Sequence, residues 1–192
     1  IFKCSISPQF FALTIQYYEN SDSALPFVDR IWSILVKGAG SYRFPRDREF
    51  RDAIENKNMY LEFKPPMLRY ILYKYERART KDLVEPTGAT IEHILPQEPK
   101  EWQKHLMELN DNEYHEMIHR IGNLTLTKMN SEASNAPFTD KVVVYNKSGY
   151  AITREIAKMP DWSSKEIKDR SSSMAKEALL LWPLPTRYNQ EN

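Results

Sequence analysis

The 192-residue chain contains one cysteine, Cys4. A single thiol excludes an intramolecular disulfide and any zinc knuckle built from paired CxxC elements, so no structural zinc is expected, and it suits a reducing, cytoplasmic setting. No apolar run approaches the roughly 20 residues that a membrane span needs, so no membrane partner is expected. A Walker-type phosphate loop is also missing, and this chain is not expected to hydrolyse nucleotides by itself. Excess charge of either sign is absent: 27 Lys and Arg oppose 26 Asp and Glu, for a formal charge of +1. That balance excludes a polybasic or acidic tail, so an anionic partner must be met by local patches. There is no repeat of about 20–50 residues and no low-complexity tract, which excludes a solenoid. The first residue is Ile1, and neither the charged region nor the cleavage site of a signal peptide follows, so the sequence reads as an internal fragment.

What is present favours a folded body. A hydrophobic share of 41% with 12% aromatics is too apolar for disorder and enough for one or two domains. Charge is uneven along the chain: residues 1–85 carry 14 basic and 11 acidic side chains, 86–119 carry 2 and 7, and 120–192 carry 11 and 8. An acidic island thus lies between two mildly basic flanks.

The first part reads as helical. Phe27, Ile31, Ile34 and Leu35 recur at helical spacing before Gly38 and Gly40. A second helix is expected after Pro45 with Phe50, Ala53 and Ile54 inward. A third starts at Pro66 with Met67, Leu68, Ile71, Leu72 and Tyr75 on its buried stripe. The basic faces of these helices, including Arg51, Lys74, Arg77 and Arg79, can track phosphates or simply be solvated. Pro86 and Gly88 break the pattern, which places a division there: a helical domain over 1–86 and a second domain over 87–192. A short strand is expected at about 89–94, and a polar helix at about 111–119. The alternation of Leu124 and Leu126 with Thr125 and Thr127 predicts a half-buried strand, and 130–133 looks like a helix start. Ile167, Met174, Ala175, Ala178, Leu179 and Trp182 fit one face of a last helix closed by Pro183 and Pro185. The fold class expected is α+β and mostly helical.

The polar residues of the two strands carry the chemistry. Glu92-His93 ends the first strand, Gly122-Asn123 opens the second, and Asn130 begins the helix after it, so a strand-loop-strand-helix unit is expected to gather them. One imidazole beside a carboxylate and carboxamides suits metal-assisted phosphodiester hydrolysis: the histidine takes a proton from water while a hard cation on oxygen ligands neutralises charge on the phosphate. Taken singly, Asn123 beside Gly122 also fits turn chemistry and Asn130 also fits a helix cap. A rival pattern is His115-Glu116-Met117-Ile118-His119, an HExxH match that predicts zinc on His115 and His119 with Glu116 as base. Its polar flanks and the lack of an evident third ligand argue against it.

Ile91-Glu92-His93-Ile94-Leu95-Pro96-Gln97, Ile121-Gly122-Asn123-Leu124-Thr125-Leu126, Asn130, and Ser134 to Phe138 ending at Lys141 occur in that order. With Trp162, Arg170 and Trp182 they resemble the C-terminal HNH nuclease domain of GmrSD-type modification-dependent restriction enzymes, and residues 1–85 resemble the helical region before it. The resemblance implies a ββα-metal nuclease core that nicks or cuts DNA with Mg2+ or Mn2+. It makes His93 the general base, Glu92 a metal ligand or a carboxylate that supports the ligands, and Asn130 the last metal ligand. Asn123 would hold the loop and orient the imidazole. Lys141 and Arg170 are the expected phosphate contacts. It further implies antiphage defence beside an N-terminal nucleotide-hydrolysing sensor domain that this chain lacks. A catalytically silent module that only docks DNA or protein is the alternative.

Overall fold

The computed structural model describes residues 44–81, 87–98, 102, 110–129 and 135–183, together with 26, 28, 29 and 35. The chain divides into two compact units, Asp47–Pro183 and the terminal stretches Ile1–Arg46 with Leu184–Asn192. All elements below belong to Asp47–Pro183. The helix expected over 27–35 lies almost wholly outside the described residues, and the helix start at 130–133 lies outside them altogether.

Helix α1 (Asp47–Asn56) opens with Asp47 and Glu49, carboxylates placed at the positive end of the helix dipole. It buries Ile54, with Phe50 packed against the same core. After a short α2 (Met59–Glu62), α3 (Pro65–Arg79) begins on a proline whose fixed φ and missing N–H a first turn tolerates. Leu68, Ile71, Leu72 and Tyr75 form its buried stripe, as their spacing predicts. Met67, expected on that stripe, is instead 51% exposed. It precedes Leu68 by one residue, about 100° round the helix, and so faces solvent.

Gly88 takes a φ of +77°, a backbone state glycine enters without Cβ strain, and leads into β1 (Thr90–His93). This strand pairs antiparallel with β2 (Leu124–Thr127), Glu92 opposite Thr125 and His93 opposite Leu124. Between them lies α4 (Asp111–Ile118). A reciprocal box caps it: the Asn110 side chain accepts from Glu113 N, and the Glu113 carboxylate accepts from Asn110 N. A single 3-10 turn (Ile121–Asn123) then feeds β2. All four β2 residues are buried, which corrects the half-buried expectation. The threonine face is covered: the Thr125 and Thr153 hydroxyls lie 2.9 Å apart, and Thr153 donates to Leu126 O.

Helices α5 (Phe138–Asn146), α6 (Ala151–Ile156) and α7 (Ser164–Leu181) complete the unit. Buried Glu76 of α3 accepts from the amides of Ala151 and Ile152, filling the N-terminal donors that a helix start leaves open. Arg79 is not part of an open basic face. It binds Glu155 of α6 at 2.7 Å and both oxygens of Glu177 of α7 at 2.7 and 2.9 Å. Helix α7 starts on a second reciprocal box, Ser163 with Glu166. Residues of α1–α3 share one core with Leu124, Leu126, Met174 and Ala178. The fold is α+β and mostly helical, with one two-stranded sheet among the described residues.

Candidate active site

Side chains on successive strand residues project to opposite sides. Glu92 and His93, neighbours on β1, therefore part company, and the two are not gathered side by side as expected. Glu92 turns to α5, where Lys141 Nζ lies 2.6 Å from its Oε1 and the Tyr145 hydroxyl donates to the same oxygen at 2.9 Å. Lys141 also donates to His93 O at 2.9 Å. Burial pushes the Glu92 carboxyl up, with Lys141 opposing that shift, and pushes the Lys141 ammonium down, with Glu92 opposing it. Lys141 is fully buried, so it is an internal counterion and not the DNA contact its place in the sequence suggests.

His93 turns the other way, toward α2 and the end of α4. Its Nε2 lies 3.4 Å from His119 Nδ1 and its Nδ1 lies 3.2 Å from Gln97 Nε2. Tyr60 packs edge-on against its ring with centroids 4.4 Å apart. Burial, then the nearby His119 and Lys141, push the imidazole down to about 3, so it is neutral near pH 7. His119 is pushed down as well, by burial and then by His115.

Asn123 is a clamp. Its Oδ1 accepts from Leu95 N at 2.8 Å and Trp162 Nε1 at 3.1 Å; its Nδ2 donates to Leu95 O and Ile118 O, both at 2.9 Å. Two acceptor sites and two donors are thus all spent on the loop after β1, the end of α4 and Trp162, which leaves none for a hydrogen bond to the His93 ring. The Tyr114 hydroxyl adds a bond to Pro96 O in the same loop. Gly122 is needed for close approach, not for a left-handed turn. A Cβ there would lie 2.2 Å from Ile167 O and 2.8 Å from Ser171 N of α7.

Arg170 is half-buried and turns its guanidinium to the main chain. Its Nη1 donates to Gly122 O at 2.6 Å and Leu124 O at 2.9 Å, holding the turn into β2, and its buried Nη2 has no protein partner among the described residues. Burial, and then Arg79, lower it to about 10. It does not offer its charge to a DNA backbone as expected.

Asn130 lies outside the described residues. Among those that are described, no three His, Cys, Asp or Glu side chains converge to hold a metal ion. Glu92 already spends Oε1 on Lys141 and Tyr145, so it could offer a cation only its other oxygen. The HExxH reading fares no better, because His119 follows the last residue of α4 and directs Nδ1 at His93.

Sequence reasoning missed His119, Gln97 and Tyr60 as neighbours of His93. Gln97 stands within the block that begins at Ile91, and His119 stands just before the Ile121 block; both were legible as residues near the motif. Tyr60, 33 positions before His93, gives no such signal.

The family model described as GmrSD restriction endonucleases, C-terminal domain, matches residues 44–177, which span α1 to most of α7. No curated protein matches the chain.

Proposed function

The chain belongs to the C-terminal domain family of GmrSD restriction endonucleases, and from that premise we propose that it is an HNH-type (ββα-metal) endonuclease that hydrolyses DNA phosphodiesters with His93 as general base. The observation that carries this reading is the His93 imidazole itself, held neutral and fixed on both nitrogens at the end of β1, on the strand pair that the motif blocks build. In the reaction a water oxygen bonds to phosphorus and one ester P–O bond breaks, its oxygen leaving as an alkoxide that takes a proton from solvent, while His93 Nδ1 accepts the proton that the water gives up once that water displaces the Gln97 amide. Dehydration keeps the resting base weak. An incoming anionic phosphate strengthens it, because negative charge favours the imidazolium.

Dependence on Mg2+ or Mn2+ belongs to this reading through the resemblance, in which Glu92, through its other oxygen, and Asn130 would hold the ion. The same reading includes nicking or cutting of DNA in antiphage defence, a cytoplasmic setting, and an N-terminal nucleotide-hydrolysing sensor domain as partner. The Lys141–Glu92 pair favours a second reading, a silent module that docks DNA or protein, since it engages the expected metal carboxylate internally.

Plasmid nicking decides between them. Wild-type protein with Mg2+ or Mn2+ nicks, and both chelator and His93→Ala at equal folding abolish the activity. Equal nicking by His93→Ala removes His93 from the mechanism, and an inactive wild type favours the docking module.

A further inference from the structure

The His93 ring has three defined neighbours. Gln97 and His119 meet its two nitrogens. Tyr60 lies edge-on to His93 and stacked on His119, with centroids 5.5 Å apart and planes 10° apart. The two imidazoles meet edge to face at 5.4 Å. Tyr60 N also donates to His119 O at 3.2 Å, so one residue of α2 fixes the His119 backbone and packs against both rings. The chain on either side of His119 is braced too: Arg120 N donates to Met117 O, and Asn123 N donates to Arg120 O.

The 3.4 Å between His93 Nε2 and His119 Nδ1 suits one shared hydrogen, carried by either ring. If the Gln97 amide nitrogen donates to Nδ1, His93 carries its hydrogen on Nε2 and His119 Nδ1 accepts. With that amide turned over, Gln97 Oε1 accepts from Nδ1–H and His119 Nδ1–H donates to Nε2. Only the first arrangement leaves a lone pair, on Nδ1, that can take a proton when water displaces the Gln97 amide, so it is the tautomer that a proton-accepting His93 requires.

We propose that His119 is a positioning residue for His93, its Nδ1 engaging His93 Nε2 while Tyr60 packs on both rings, so that orientation and tautomer of the imidazole are set before DNA arrives. This rests on His93 being the proton acceptor. It also takes His119 out of the HExxH pattern in which the sequence places it. Groups that orient a working imidazole from behind typically affect activity by about 10- to 100-fold.

The test compares His119→Leu, which removes the bond, with His119→Asn, whose amide reaches the place of Nδ1. Both are measured beside wild type and His93→Ala for plasmid-nicking kcat and KM, at equal folded fraction by thermal melting. The ring-nitrogen NMR signals of His93 are recorded for the wild type and both His119 variants. His119→Leu is expected to lose about 10- to 100-fold in kcat with KM within about twofold of wild type. His119→Asn recovers most of that loss. His93 shows one tautomer in wild type and His119→Asn and an averaged pattern in His119→Leu. Wild-type kcat in His119→Leu, equal impairment of the two His119 variants, or unchanged His93 nitrogen signals in His119→Leu overturns the proposal. Nicking retained by His93→Ala overturns instead the reading on which it rests, and the nitrogen signals then still decide whether His119 positions the ring.

Discussion

Replacing Lys141 with Met removes an ammonium from a place that solvent does not reach. Lys141 is fully buried, 2.6 Å from Glu92 Oε1, and Glu92 is itself 4% exposed. Methionine fills much the same apolar space as the lysine stem, so the substitution mainly isolates the charge. What remains is a buried carboxylate with the Tyr145 hydroxyl donating to it, and a His93 carbonyl without its lysine donor. Breaking a buried pair from one side costs about 3–5 kcal/mol. At about 2–4 °C per kcal/mol for a chain of this size, Tm should fall by roughly 10 °C near neutral pH. The pH dependence identifies the cause. Burial already raises the Glu92 carboxyl against the pull of Lys141, and loss of Lys141 raises it further. A carboxyl raised in the folded state holds a proton that the unfolded chain has released, so stability grows as pH falls through the raised value. The deficit of Lys141→Met is therefore largest above that value and shrinks as pH falls through it. Glu92→Gln combined with Lys141→Met recovers most of the loss, since no charge is left buried alone. Urea unfolding of wild type, both single variants and the double variant, from acid to neutral pH, measures all of this. A Lys141→Met protein of wild-type stability but weaker, more salt-sensitive DNA binding would refute the buried pair and restore Lys141 to the surface.

Two further substitutions test the other polar anchors. Burial takes the His93 imidazole from 6.5 to about 3, so the folded protein refuses a proton that the unfolded chain accepts below about 6.5. His93 thus makes stability fall as pH drops from there toward 3, with a slope approaching about 1.4 kcal/mol per pH unit, and His93→Gln should flatten that fall; identical pH profiles in urea unfolding would count against a buried neutral ring. Asn123→Asp keeps the shape but turns the donor Nδ2 into an oxygen facing Leu95 O and Ile118 O, leaving two buried carbonyls unpaired at about 1–3 kcal/mol each. Unfolding at clearly lower urea is expected, and a midpoint like wild type would show that the clamp is not built as described.

How far the sequence could be read depended on how local each signal was. Helices α1, α3 and α7 announce themselves through apolar period and proline punctuation, and α4 through its polar run; the serine-to-glutamate box at Ser163 adds a readable start for α7. Helix α5 gave no such signal. Its three consecutive valines favour a strand by their branching, and only Phe138, Lys141 and Tyr145 lie buried along one stripe. The partners of the polar residues are the least legible because they are set by packing across the chain: Lys141 lies 49 positions from Glu92, and His119 lies 26 from His93. A charged residue inside a motif block need not face a substrate. Lys141 and Arg170 face inward, each donating to the main chain that carries the site, His93 O for one and Gly122 O with Leu124 O for the other. One part of the geometry, however, was available from the start. Once Thr90–His93 is read as a strand, the period of two already sends Glu92 and His93 to opposite sides. The adjacency that makes the pair look like one site is what divides it, one residue anchoring the strand to α5 and the other meeting His119 and Tyr60.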